Sequence, residues 1–139
     1  MDADRFRLIV RASALYDLIV TSLFVTPWTF ALVHWGMAAL DAGLSAPGTI
    51  PTPDTLSILF ANLLGSVVVV WSLARLHSGS ALLGRYDAVA RLLFAVWQIN
   101  AMANGLSLVI LPLTVMEIVF GILQALPLQQ KARATVAAD

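Results

Sequence analysis

The chain has 139 residues, of which 60% are hydrophobic and 12% are charged, whereas soluble domains average about 45–50% and about 25%. A water-soluble protein of this size has no way to bury so much apolar surface, so the composition predicts an integral membrane protein surrounded by lipid. Eight basic and eight acidic residues leave no net charge, which excludes the strongly basic surface typical of nucleic-acid binding.

Residue types that carry metal and thiol chemistry are scarce. The absence of cysteine excludes disulfides, thiol nucleophiles and thiolate metal sites. The only two histidines, His34 and His77, lie in different segments, so the chain has no zinc motif of the HExxH type. We therefore expect neither a metal nor a cofactor.

The first predicted membrane helix covers about 12–35 and contains Pro27. Proline lacks a backbone donor, so it should bend this helix near its middle. The basic N-terminus followed by an apolar stretch is similar to a signal peptide. That stretch, 8–40, is much longer than a signal sequence needs and it contains Asp17, so we expect a retained helix.

An external loop is predicted over 36–54, where glycine and proline are frequent. It ends at a predicted helix start, with Thr52 as the N-cap and Pro53 at the first helical position. The second predicted membrane helix follows over about 55–76. A short polar segment then separates it from the third.

The apolar region 88–128 is close to twice the length of one span, so it must turn back on itself. Asn104-Gly105 is a typical turn sequence. It divides the region into a third helix over about 86–104 and a fourth over about 106–126. The sequence thus predicts one all-α domain over 1–139, a four-helix bundle embedded in the membrane.

The basic residues predict the orientation of the bundle. All eight fall before the first helix, around the second connection or in the C-terminal tail, whereas the two predicted external segments contain none. Basic residues concentrate on the cytoplasmic side of membrane proteins. We therefore expect a multi-pass protein of the inner (plasma) membrane with both termini in the cytoplasm.

Three polar side chains are predicted at similar depth inside the bundle: Asn62, Gln98 and Glu117, on the second, third and fourth helices. The first helix faces them with aromatic residues that include Trp28. Polar groups at membrane depth are costly and often functional, so this set predicts a site for a small amphiphilic or cationic molecule or a proton. The alternative is that these groups only hydrogen-bond the helices together.

Charged residues near the predicted cytoplasmic face form a second group. Asp87 and Arg91 have the i, i+4 spacing of a helical salt bridge. Asp17 has Arg91 or Arg85 as a candidate partner, and it is equally a candidate entry site for a proton or substrate. Tyr16-Asp17 recurs as Tyr86-Asp87, which indicates either an internal duplication or coincidence.

A resemblance to a known family follows from Arg11 before the first helix, Phe24 and Pro27 within it, and Glu117 in the last helix. In these features the chain resembles the small four-helix bacterial membrane proteins of the DoxX-like kind. The resemblance implies a redox-linked or uncharacterised membrane protein. Small multidrug transporters also have four helices and one membrane carboxylate, which lies in their first helix; that similarity would point to Asp17.

Three hypotheses for the function remain open at this level. The first is a binding or transport module in the lipid bilayer, working as a homo-oligomer or as a subunit of a membrane complex. The second is a small membrane enzyme that acts on a lipid-soluble substrate, with Glu117 or Asp17 as acid and base. The third is a structural or assembly protein without a ligand.

Overall fold

The computed structural model describes residues 1–128, and its architecture there is all-helical, as predicted. Within residues 1–128, the one extended pairing is an isolated parallel bridge between Thr49 and Leu106. Lys131 and Arg133, which entered the predicted orientation, lie outside the described residues. The helices are α1 (Ala3–Thr21), α2 (Pro27–Leu44), α3 (Thr55–Ser78), α4 (Ala81–Ala103) and α5 (Leu111–Ala125), with single 3-10 turns at Ser22–Phe24 and Leu108–Ile110.

The last three helices correspond to the second, third and fourth predicted ones, with ends that differ by a few residues. Asp54, and not the predicted Thr52, caps α3, because its carboxylate accepts a hydrogen bond from the backbone N–H of Ser57 at 2.7 Å. Hydrogen bonds from Ser57 lower the pKa of the Asp54 carboxyl below its ordinary value, since they favour the charged form.

The predicted helix over 12–35 is not a single segment. α1 and α2 are separate helices whose axes differ by 102°. Pro27 begins the second of them instead of bending the first, and at this position its missing N–H breaks no helical hydrogen bond. Thr26 caps the new helix with its side-chain oxygen. Because α2 continues to Leu44, it occupies part of the predicted loop over 36–54.

Two residues of α3 hold the break between α1 and α2 in place. The Asn62 amide donates from Nδ2 to the carbonyl oxygen of Phe24 at 2.7 Å. Gly65 allows the same turn to approach closely, since a Cβ atom at this position would lie 2.8 Å from the carbonyl carbon of Phe24. The break is therefore fixed by tertiary contacts as well as by proline.

Four helices pack in two pairs, α1 with α3 and α4 with α5, and the pairs meet chiefly where α1 contacts α5. At one end of the bundle, the terminal face, the Met1 ammonium donates to the carbonyl oxygen of Pro127 at 3.0 Å. At the other end, the loop face, the N–H of Ser107 donates to the carbonyl oxygen of Thr49 at 3.0 Å. There α2 packs against α3 and both 3-10 turns.

The distribution of polarity is the reverse of that in a soluble protein. Among the described residues nine polar or charged side chains are buried and only six hydrophobic ones, while large apolar side chains cover the outside. α3 and the segment Leu108–Ala125 are long and apolar enough to cross a membrane, each with a mean hydropathy of 2.1. The bent pair of α1 and α2 provides a third candidate span, so two to three helices meet this criterion.

Candidate functional site

Two buried arginines organise the interior near the terminal face. Arg75 from α3 and Arg91 from α4 are 0% and 1% exposed. Arg91 contacts Asp17 of α1 at 2.6 Å through Nη2 and Asp87 at 3.0 Å through Nε. Arg75 makes close ion pairs with the same two aspartates. Each aspartate is thus shared by two guanidinium groups, an arrangement that compensates charges removed from water.

Glu117 of α5 adds a third carboxylate. Its Oε2 accepts from Nη1 of Arg91 at 2.8 Å, and its side chain is 12% exposed. We call Asp17, Arg75, Asp87, Arg91 and Glu117 the ionic network. Three carboxylates face two guanidinium groups, so its formal charge is one negative. In the part of the chain that the structure describes, no group of three or more side chains is arranged to hold a metal ion.

Neutral side chains complete the ionic network. Trp71 donates from its indole nitrogen to Asp87 at 3.0 Å. The hydroxyl of Ser13 accepts from Nη1 of Arg75 at 3.1 Å and from the Gln124 amide at 2.5 Å. These bonds, together with the ion pairs, connect α1, α3, α4 and α5 at one level of the bundle. The position of each charge is therefore set by these four helices together.

A cavity of about 380 Å³ extends from the ionic network toward the loop face. Asp17 and Glu117 form its polar end. The Oε1 atom of Gln98, another lining residue, is buried and has no hydrogen-bond partner among residues 1–128. Most of the remaining wall is apolar or small, and it comprises Tyr16, Val20, Thr21, Phe24, Ala61, Leu64, Gly65, Val68, Phe94, Trp97, Ala101, Leu106, Ile110 and Leu113.

The cavity brings together three of the five predicted site residues: Glu117, Gln98 and Asp17. Asn62 is not part of its wall, because its amide is used to hold the turn at the end of α1. Trp28 is also outside it, on α2, with 78% of its surface exposed. The predicted aromatic wall is instead provided by side chains of α1, α4 and the first 3-10 turn.

The predicted partners of Asp17 are correct in one case and wrong in the other. Arg91 is a partner. Arg85 is not, because its guanidinium donates to the carbonyl oxygens of Gln124 and Leu126 at the end of α5, each at 2.7 Å. The predicted pair of Asp87 and Arg91 is confirmed at 3.0 Å.

The sequence does not predict the role of Arg75. Because this arginine lies near the end of α3, the sequence pattern indicates a basic residue that flanks a membrane helix and extends toward water. A signal for it existed in the spacing of α3. The four buried residues of this helix, Gly65, Val68, Ser72 and Arg75, follow a single stripe at intervals of three and four. All of them except Val68 are small or polar.

Comparison with known proteins gives no relative for this chain. No protein-family model matches the sequence, and neither a curated protein nor a solved structure matches it.

Proposed function

We propose that the chain crosses an inner (plasma) membrane four times, through α1, α3, α4 and α5, with both termini in the cytoplasm. Its charged residues make α4 less apolar than α3 and α5, but Asp87 and Arg91 are 3% and 1% exposed and belong to the ionic network. Arg85 binds the end of α5. The outer side of α4 carries large apolar side chains suited to lipid: Leu82, Val89, Leu92, Val96 and Trp97.

Within this bundle, we infer a site that binds a small amphiphilic molecule. The observation that carries the proposal is the position of Glu117, which belongs to the ionic network and also lines the apolar cavity. Ligand sites are typically mostly apolar recesses of about 300–1,000 Å³ with a few polar groups that orient the ligand. An amphiphile would place its apolar part among the cavity walls and its polar group at Glu117.

The charge of the ionic network favours a cationic or hydrogen-bond-donating head group. Its formal charge of one negative lies in a region removed from water, where an uncompensated charge is expensive. One positive charge, carried by a proton on Glu117 or by the head group of a ligand, would make the site neutral. An anionic head group would add a second uncompensated negative charge.

Binding of three amphiphiles with the same alkyl chain tests this proposal. Decylamine, decanol and decanoate are added to the detergent-purified protein at neutral pH, and bound ligand is counted by native mass spectrometry. We expect decylamine to bind most tightly and decanoate least. Glu117→Gln should remove the preference for decylamine while leaving the protein folded, because the amide keeps the shape of the side chain and an acceptor for Arg91.

Asp4→Asn is the matched control for this substitution, since Asp4 is 96% exposed at the start of α1. It removes one negative charge without touching the cavity, so the order of affinities should be unchanged. A Glu117→Gln variant that still prefers decylamine would contradict the assignment of the head-group site.

A structural role is the second candidate, favoured by the way in which the ionic network and its neutral partners join α1, α3, α4 and α5. If none of the three amphiphiles binds and Glu117→Gln changes only the stability, the ionic network serves to assemble the bundle. The mass spectrum would also show whether the protein is a homo-oligomer.

A further inference from the structure

Packing contacts border the cavity at both ends and between α1 and α5. The ionic network closes it toward the terminal face. At the loop face, α2 packs over the 3-10 turns, and the side chain of Ser107 is hydrogen-bonded to Asp41 of α2. Between α1 and α5, the rings of Tyr16 and Phe120 pack with their centroids 5.7 Å apart. These contacts leave the side between α3 and α4 for access.

The backbones of α3 and α4 scarcely approach each other, although the two helices are consecutive in the chain. Near the terminal face they are joined through side chains, by the bond from Trp71 to Asp87 and by the ion pair of Arg75 with Asp87. Toward the loop face the cavity occupies the space between them. The gap therefore begins directly beyond the ionic network.

Exposure of the lining residues locates the opening. Of all the side chains that line the cavity, two are exposed: Leu64 of α3, at 54%, and Trp97 of α4, at 64%. Both belong to the helices that border the gap. The remaining lining residues are buried or half-buried. Leu64 and Trp97 thus form the rim of a lateral mouth.

We propose that the ligand of this cavity is dissolved in the membrane and enters sideways from the hydrocarbon region, through the mouth between α3 and α4. This inference rests on the proposed function, since it requires α3 and α4 to span the bilayer and the cavity to bind an amphiphile. The apolar rim is the lowest-cost route for an alkyl chain. The head group then reaches Glu117 without the ligand passing through external water, which α2 excludes from the loop face.

A crosslink across the mouth tests this route of entry. Since the native chain contains no cysteine, the reagent can react only with the two cysteines that are introduced. The protein carrying Leu64→Cys and Trp97→Cys is loaded with decylamine at neutral pH and treated with a flexible bis-maleimide. It is then moved into ligand-free detergent, and retained decylamine is followed by native mass spectrometry. We expect release to slow several-fold after crosslinking, because the ligand must leave by the same mouth.

The control pair is Leu92→Cys with Ile118→Cys, on the outer side of α4 and α5. Neither residue lines the cavity, although the groove between them also reaches Glu117. A crosslink there joins two helices that are already packed together, so release should be unchanged. Equal release rates from both crosslinked proteins would overturn the lateral route while leaving the binding site intact. If decylamine fails to bind even the native chain, the proposed function itself is wrong.

Tryptophan variants at the mouth provide a second test. Leu64→Trp should narrow the mouth and slow release without any crosslink, whereas Leu63→Trp, at a neighbouring position that is 55% exposed and outside the cavity wall, should not. A slowed release in both tryptophan variants, or in neither, counts against the mouth. Crosslinks that form only between two copies of the chain would show that a second copy covers the gap, and this would also overturn the lateral route.

Discussion

At the scale of single residues, the most consequential side chain is Arg75. Its guanidinium is completely buried between Asp17 and Asp87. Hydropathy alone treats an arginine near the end of a helix as a flank that extends toward water. Here the helix stripe directs it inward, so its role depends on which way α3 faces. The sequence contains that information in the spacing of small and polar residues, but only a packed bundle shows what the arginine meets.

A double-mutant cycle tests the pairing of Asp17. Arg75→Met should reduce the free energy of unfolding by about 3–5 kcal/mol, because it leaves buried carboxylates without one of their counter-charges. Asp17→Ala should also destabilise the protein. Since the two residues interact directly, the double variant should lose clearly less than the sum of the single losses. Unfolding in mixed detergent and sodium dodecyl sulfate measures the free energies of unfolding of the native chain, the two single variants and the double variant.

Arg85 provides the control for this cycle. It binds carbonyl groups at the end of α5 and makes no contact with Asp17. The losses from Asp17→Ala and Arg85→Met should therefore add. Additive losses for Asp17 with Arg75, or strong coupling of Asp17 with Arg85, would contradict the network described here.

At the scale of helices, the sequence predicted α3, α4 and α5 well and the region before them poorly. Long apolar segments bounded by polar residues, proline or Asn-Gly predict where the later helices lie, although the starts of α4 and α5 each differ from the prediction by about five residues. Pro27 gave an ambiguous signal, because proline both bends a helix and begins one. Contacts from α3 favour a helix start at Pro27 over a bend: the Asn62 amide binds the carbonyl oxygen of Phe24, and the absence of a side chain at Gly65 lets this turn approach closely. Such distant contacts are not visible in a local pattern.

A glycine-to-alanine pair tests whether α3 fixes this break. A Cβ atom on residue 65 would lie 2.8 Å from two atoms of Phe24, so Gly65→Ala must push the turn away. We expect a loss of about 1–3 kcal/mol in the free energy of unfolding, as for other overpacked positions. Gly36→Ala in α2 meets nothing within 4 Å. Because alanine favours the helix more than glycine does, Gly36→Ala should leave the free energy of unfolding unchanged or raise it by up to about 1 kcal/mol.

The same detergent unfolding assay measures both alanine variants. If Gly65→Ala is tolerated as well as Gly36→Ala, the turn at Phe24 is free to shift. The break between α1 and α2 would then be set by local sequence alone.

At the scale of the whole molecule, the sequence predicted an apolar exterior but not the cavity. The composition predicts lipid around the bundle, and the exposed apolar side chains are compatible with it. The cavity depends on how far α3 and α4 diverge, a distance that no residue pattern specifies. Glu117, Gln98 and Asp17 could be nominated because polar groups in an apolar segment must face inward. Asn62 also faces inward, but its amide binds the backbone of Phe24 and does not line the cavity. The rule therefore identifies inward-facing residues but does not distinguish residues that line a cavity from residues that join helices.

The orientation in the membrane follows from the charges that are left on the surface. Two of the eight basic residues, Arg75 and Arg91, are buried in ion pairs and say little about topology. Other basic residues lie at the start of α1 and α4, which share the terminal face, so that face should be cytoplasmic.

Labelling of single introduced cysteines tests this orientation, since the native chain contains no cysteine. Gly43→Cys, in an open position on α2, should react with a membrane-impermeant maleimide in intact cells. Ser78→Cys, at the end of α3, should react only after the membrane is permeabilised. The reverse pattern would invert the bundle and place the ionic network next to the external face.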